Sequence, residues 1–259
     1  MKKIMLFIPA YNCAKEIAMV LKSLTPDIQS LFCEVVVVEN RSTDNTLNIA
    51  KEGLLKLKNI KTTLLQNEEN YSLGGSHKVA FEYCLKQNYD YLVVLHGDNQ
   101  ADIRDIVSFI KSGEIFNYDS FLGSRFKRGA KRVNYSKFRY FGNVALNLLI
   151  SLVTCSWVTD MGAGLNGYHA DFLKKKLYMP CPDDLTFNPF LLLYSIKQKS
   201  KIYFFPIHWK EEGAVSNAKV IRQGVKILNL LKNYLFYPDF WTKLKSNKSY
   251  QSRSVLDQK

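Results

Sequence analysis

The sequence predicts an α/β fold: a mainly parallel sheet flanked by helices, in a single domain that continues into a basic helical tail. Three observations carry this expectation. Apolar runs of strand length recur as KIMLFIPA, CEVVVVEN, IKTTLLQN and DYLVVLHG. Between them lie segments with apolar residues at helical spacing, AKEIAMVLKSLTPD, TLNIAKEGLLKL and SHKVAFEYCLKQN. The two kinds alternate strictly through residue 97, which is the pattern of βαβ units. Ser42, Thr43 and Asp44 are suited to cap the second helix, and Gly74 with Gly75 punctuates the chain before the third. Further on, SFLGSRF and KIYFFP read as strands, and VALNLLISLVTCSWV, residues 144–158, as a helix that is buried or lies at an interface. It is too short to span a bilayer and carries polar residues. The basic start MKKIMLFIPAYNC is broken by Pro9 and Asn12, so it reads as the first strand and not as a signal peptide.

Composition narrows the function. A chain of 259 residues with 47% hydrophobic residues can bury one sizeable core. Lys and Arg outnumber Asp and Glu by 36 to 23, a net charge of +13 that points to anionic partners. Nucleic acid is excluded as one of them, because the basic residues follow neither an RNP-like nor a helix-turn-helix arrangement. The five cysteines are odd in number and widely spaced, which fits reduced thiols in a cytoplasmic protein and neither a disulfide framework nor a structural zinc.

Ligands of parallel sheets bind at the strands' carboxyl ends. There this sequence places Pro9, Ala10, Tyr11 and Asn12 after the first strand, Glu39 and Asn40 after the second, and His96, Gly97, Asp98, Asn99 and Gln100 after the fourth. Carboxylate, carboxamide and imidazole groups on one rim suit a nucleotide and a hard cation. Asp98 and Gln100 offer the oxygens that Mg2+ or Mn2+ prefers, and substrate phosphates complete such a shell. His96 is a manganese ligand or a hydrogen-bond partner of a phosphate. The plainer reading of Asp98 and Asn99 is a turn after a strand.

These stretches together, IPAYN, VVVVENRSTDNT, ENYSLGGSHKVA, LHGDNQAD and FLGSRF, resemble in order and spacing the family 2 glycosyltransferases of the GT-A fold, over residues 1–215. The resemblance implies an inverting enzyme that uses a nucleoside-diphosphate sugar, UDP- or GDP-linked, with a divalent cation, Mg2+ or Mn2+. It implies a nucleotide-sugar pocket at Pro9, Ala10, Tyr11, Asn12, Glu39, Asn40, Gly74, Gly75, His96, Gly97 and Asp98, and a metal site at Asp98, Gln100 and His96. Two departures stand out. His96 occupies the place of the family's first metal aspartate, and Arg41 that of a glycine. Asn40, where the family has a second acid, is expected to pair with a base edge through its amide.

The second half should choose the acceptor. In KRGAKRVNYSKFRYFG basic residues interleave with Tyr and Phe; the bland reading is a solvated loop. Resemblance to the dolichyl-phosphate mannose synthase-like branch makes Arg125, Arg128, Lys131 and Arg132 binders of an acceptor phosphate. TDMGAGLNGYHADFL resembles the family's Asp-x-x-x-Gly stretch, which makes Asp160 either the catalytic base or the cap of a glycine-rich turn. The place of the base in saccharide-extending members falls on Phe187 and Asn188, with Asp183 and Asp184 as fallback candidates. An acceptor that is already anionic needs no base, which favours a polyprenyl phosphate. Lys210, Gly213, Ser216, Asn217 and Lys219 form a stretched version of the family's closing segment, with Lys210 reaching the diphosphate.

The expected organisation is a GT-A domain over 1–215, an amphipathic basic helix over 216–245 that either lies in a membrane interface or packs on the sheet, and a disordered tail over 246–259. The expected activity is metal-dependent, inverting sugar transfer to a lipid phosphate, by a cytoplasmic protein held peripherally at the inner face of the membrane. Extension of a cell-surface glycan is the second reading, and a catalytically inactive nucleotide-binding module the third.

Overall fold

A computed structural model describes residues 2–211, 217–237, 240 and 248–258. The first half alternates as expected: β1 (Ile4–Ala10), α1 (Ala14–Ser23), α2 (Pro26–Gln29), β2 (Glu34–Glu39), α3 (Thr46–Leu55), β3 (Lys61–Asn67), α4 (Ser72–Lys86) and β4 (Tyr91–Leu95). There follow α5 (Arg104–Ser112), β5 (Ser120–Ser124), β6 (Lys131–Val133), α6 (Lys137–Thr154), β7 (Leu165–His169), α7 (Ala170–Lys174), α8 (Phe187–Lys197), β8 (Ile202–Pro206), β9 (His208–Lys210), α9 (Asn217–Phe236) and β10 (Ser252–Gln258).

The main sheet has the order β10-β3-β2-β1-β4-β7-β5-β8. Strands β3, β2, β1 and β4 are mutually parallel; β7 runs antiparallel between β4 and β5, and β8 is parallel to β5. Strands β6 and β9 form a separate parallel pair. Strand β1 pleats its residues to two cores. Ile4, Leu6 and Ile8 pack with residues of α1, α3 and α5 on one face, and Met5 and Phe7 with residues of α4, α7 and α8 on the other. From β1 the connections run outward to β2 and β3 on one side and to β4 on the other. That reversal opens a crevice at the carboxyl ends of β1 and β4.

Two expectations are corrected. The tail is not disordered throughout: residues 252–258 form an edge strand, paired antiparallel with β3 in register Ser252 to Asn67 and Gln258 to Thr62. The segment SRSVLDQ is too polar to announce itself, and its strand state comes from the open edge of β3, with Val255 and Leu256 packed on the core. The third helix begins at Ser72, so Gly74 and Gly75 lie inside it and not in a loop before it. Helix α9 packs against α6 and α8. Ile227, Leu230 and Leu231 are buried, while Val225, Leu228, Leu235 and Phe236 are exposed.

Candidate active site

A cleft of about 480 Å³ occupies the crevice. Pro9, Ala10, Tyr11 and Cys13 line it from the end of β1, Asn40 from the end of β2, and His96, Gly97 and Asp98 from the end of β4. Asn70, Ser72, Leu73 and Ser76 come from the start of α4, and Asp184 and Leu185 from the loop before α8. Sequence reasoning named these strand ends, missed the residues from the start of α4, and held Asp184 only as a fallback for the base. Counting back from Pro206 puts that base first at Phe187 and Asn188. Phe187 is buried against the His77 ring, 5.0 Å between centroids.

Several residues expected at the nucleotide are tied by hydrogen bonds or packing to the protein itself. Asn40 has no amide atom to spare for a base edge: Oδ1 accepts from Asn67 Nδ2 at 2.8 Å and from the Tyr71 amide at 2.9 Å, and Nδ2 donates to Asn70 Oδ1 at 2.9 Å. It thereby fixes the 70–72 loop. Glu39 is fully buried, accepting from the Ser42 amide and from Gln66 Nε2. Asn12 holds the 42–43 loop through the Thr43 amide, at 2.8 Å. Arg41, standing where the resemblance expects glycine, has φ of 61°, the left-handed conformation glycine adopts freely. Gly74 is required by packing: a Cβ there would meet the Pro182 carbonyl oxygen at 2.4 Å. Gly74 and Gly75 therefore bring α4 against other protein segments and do not line the cleft.

The expected metal set is not brought to one point. Asp98 lines the cleft, accepts from the Gln100 amide at 3.2 Å, and is pushed above the ordinary carboxylate range by burial. Gln100 lines a second cleft of about 530 Å³ on the other side of the 98–101 loop, together with Lys131, Trp209 and Lys210. His96 is on the wall of the first cleft, but its Nε2 is closed off from solvent without a partner; burial, and then Arg125, push it down to about 4. It stands there as neutral imidazole, its ring accommodated by Gly164, where a Cβ would come within 2.9 Å. Among the described residues no three His, Cys, Asp or Glu side chains gather as a metal centre.

Arg125 and Asp160 are bound to one another inside the protein. Arg125 Nε and Nη2 donate to the two Asp160 oxygens at 2.8 and 2.7 Å, and the Arg125 amide donates to Oδ2 at 2.9 Å. Burial alone would lower the Arg125 pKa; the carboxylate beside it outweighs that and holds the guanidinium protonated. Asp160 also accepts from the Gly162 amide at 3.1 Å, so it caps the glycine-rich turn. Arg132 Nη1 donates to the Arg125 carbonyl, whereas Arg128 and Lys131 are exposed. Lys210 faces the second cleft, its amide donating to the Gln100 carbonyl at 2.8 Å. Gly213 and Ser216 of the expected closing segment lie outside the described residues.

The mainly parallel sheet, reversing its strand order at β1 with a cleft at that point, has the GT-A fold. Glucosyl-3-phosphoglycerate synthase of Mycobacterium tuberculosis, solved with Mn2+, UDP-glucose and phosphoglyceric acid, shares the fold: TM-score 0.65 at 14% identity, over 99% of this chain and 89% of that one. The model of the family described as glycosyl transferase family 2 matches residues 5–175, and the chain belongs to that family. Among the proteins it resembles are members of the dolichyl-phosphate sugar transferase-like branch. It is 27% identical over 183 residues to a UDP-N-acetylglucosamine–dolichyl-phosphate N-acetylglucosaminyltransferase of Methanococcus voltae, covering 67% of this chain and 72% of that protein. It is 25% identical over 172 residues to an undecaprenyl-phosphate mannosyltransferase of Micrococcus luteus, covering 66% and 68%.

Proposed function

We propose that the protein transfers a sugar from a nucleoside-diphosphate sugar to a polyprenyl phosphate at the cytoplasmic face of a membrane. The observation that carries this is the cleft at the ends of β1 and β4, which offers the half-exposed Tyr11 ring as a stacking surface and the Asp98 carboxylate as its acid. The residues present fit a divalent cation of Mg2+ or Mn2+ type. Asp98 is a carboxylate destabilised by burial, with only backbone amides donating to it, and substrate phosphates would supply the remaining oxygens. Bound there, such a cation neutralises charge on the departing diphosphate. Gln100 and His96 need not join it.

The two named relatives use dolichyl and undecaprenyl phosphates, which supports the acceptor class. In the transfer an acceptor phosphate oxygen forms the bond to the anomeric carbon as the bond to the diphosphate breaks, and no proton has to be removed first. That fits the absence of an acid at Phe187 and Asn188. Arg128 and Lys131 are the exposed cations for attracting the acceptor phosphate, and Arg125, locked to Asp160, is the fixed cation behind them.

The membrane contact falls to α6 and α9, which touch one another and contain no acidic residue. Leu152 is 77% and Trp157 79% exposed, with Phe138, Phe141 and Leu148 also open. Among the described residues no helix is long and apolar enough to cross a membrane, so the proposed attachment is interfacial.

One observation favours glycan extension instead: Asp184 stands in the cleft wall, where a base for a hydroxyl acceptor could act. The deciding experiment incubates the protein with a panel of nucleotide sugars, Mn2+ or Mg2+, and a membrane lipid extract. Nucleoside diphosphate release with label entering the lipid fraction supports the proposal. Release only with a soluble glycan, and its loss in Asp184→Asn, would replace the acceptor. Nucleotide binding without any turnover would mark an inactive module.

A further inference from the structure

Tyr250 lies just ahead of β10, where the pairing with β3 begins. The Gln251 carbonyl accepts from the Glu68 amide at 3.0 Å, and the Gln251 amide donates to Tyr71 Oη at 3.2 Å. The tail is thereby delivered onto the loop that opens α4. The Tyr250 ring meets the Tyr71 ring edge to face, 5.3 Å between centroids at 80°. It lies so close to α4 that a Cβ on Gly75 would stand 3.2 Å from its Cε1.

The hydroxyl reaches a different part of the molecule. Tyr250 Oη donates to Asp183 Oδ1 at 2.7 Å and accepts from Lys78 Nζ at 3.0 Å. Lys78 is only 2% exposed; its ammonium also donates to Asp183 Oδ1 at 2.8 Å and to the Cys181 carbonyl. The Asp183 carbonyl in turn accepts from the Gly74 amide at 2.6 Å. A buried ammonium needs every one of its acceptors, because an unpaired charge in the interior is strongly unfavourable.

Asp183 directly precedes Asp184 and Leu185, which line the first cleft, and Tyr71 sits among Asn70, Ser72 and Leu73, which line it as well. One side chain from the tail therefore ties together two segments of the cleft wall that are far apart in the chain. We infer that Tyr250 is a positioning residue for the nucleotide-sugar cleft, making the tail a working part of donor binding and not a mere edge of the sheet. This rests on the reading of that cleft as the donor site.

The test compares full-length wild type with Tyr250→Phe, which keeps the ring and removes both hydroxyl contacts, and with Leu256→Ala, which loosens the same strand away from the cleft. Binding of UDP and of GDP is measured by titration calorimetry with Mn2+ present, alongside amide hydrogen exchange at Gly74 and KM and kcat with the preferred donor. The expected result for Tyr250→Phe is diphosphate affinity weakened about tenfold, a matching rise in KM, little change in kcat, and faster exchange at Gly74. Leu256→Ala should lower the melting temperature and leave affinity unchanged. Unchanged affinity in Tyr250→Phe, or equal weakening in both variants at equal loss of stability, would overturn the inference alone. A wild type that binds neither diphosphate would overturn the inference and the donor-site reading together.

Discussion

Arg125 and Asp160 face each other as a buried two-point ion pair, the guanidinium closing on both carboxylate oxygens at 2.8 and 2.7 Å. Neither group is exposed beyond 7% of its side chain. Removing one partner strands the other charge in the interior, so Asp160→Ala should cost about 3–5 kcal/mol of unfolding free energy. Urea unfolding followed by tryptophan fluorescence measures it. A loss below about 1 kcal/mol, the range of surface pairs, would mean that the pair is not closed in solution.

Asp98→Asn should separate chemistry from stability. Burial holds the Asp98 carboxyl above its ordinary 3.8, so the folded chain keeps this proton to a higher pH than the unfolded chain does. The stability linked to that proton is fully present below pH 3.8 and is lost as pH rises through the raised folded value. The asparagine variant escapes that loss, and in metal-free buffer at neutral pH its melting temperature should equal or exceed wild type. Sugar transfer should nevertheless fall at least about a hundredfold, because on the proposed reading Asp98 is the carboxylate that holds the cation. Full activity in this variant would sink the metal assignment.

His77 provides an acid-side prediction. Burial, and after it the neighbouring His96, push its imidazole down to about 3; Nδ1 donates to the Leu73 carbonyl at 2.8 Å, while Nε2 is buried without a partner. As pH falls below about 6.5 the unfolded chain takes up a proton that the folded chain refuses, so stability is lost toward pH 3. This one site sets a slope of up to about 1.4 kcal/mol per pH unit. His77→Phe, surrounded by Phe7, Phe81 and Phe187, should show a flatter decline between pH 6.5 and 4 in denaturation curves.

The proposed membrane face can be tested without any substrate. Trp157→Ser and Leu152→Ser remove two of the most exposed apolar side chains of the α6 region and should leave the melting temperature within a few degrees of wild type. Co-sedimentation with vesicles of one-third phosphatidylglycerol should fall by about tenfold in the double variant. Binding unchanged by both substitutions would place the contact elsewhere.

The sheet's parallel half and the strand ends that form the cleft were legible because they rest on local patterns: apolar runs of strand length, helical spacing, and polar residues at fixed points after each strand. Pro9, Ala10, Tyr11, Gly97 and Asp98 all line the cleft at the ends of β1 and β4. What sequence reading missed depends on long-range pairing. Asn40 and Asn12 carry the chemistry of ligand-binding amides, but their partners at 70–72 and 42–43 become visible only once the loops are folded together. Asp160 reads equally as base or cap until Arg125 is seen across from it. The strand at 252–258 has almost no apolar signal of its own and is called into being by its neighbour.

That neighbour has a history during synthesis. Strand β3 is synthesised long before residues 252–258, and pairing with β2 in that interval would leave its other edge, with Leu64 and Leu65 beside Thr62 and Thr63, uncovered. Throughout that interval the growing chain carries an unguarded row of amides and carbonyls, the kind of edge on which nascent proteins stick to one another. The arrival of β10 ends the exposure: it shields the nascent sheet's sticky margin at the same time as it brings Tyr250 to its post.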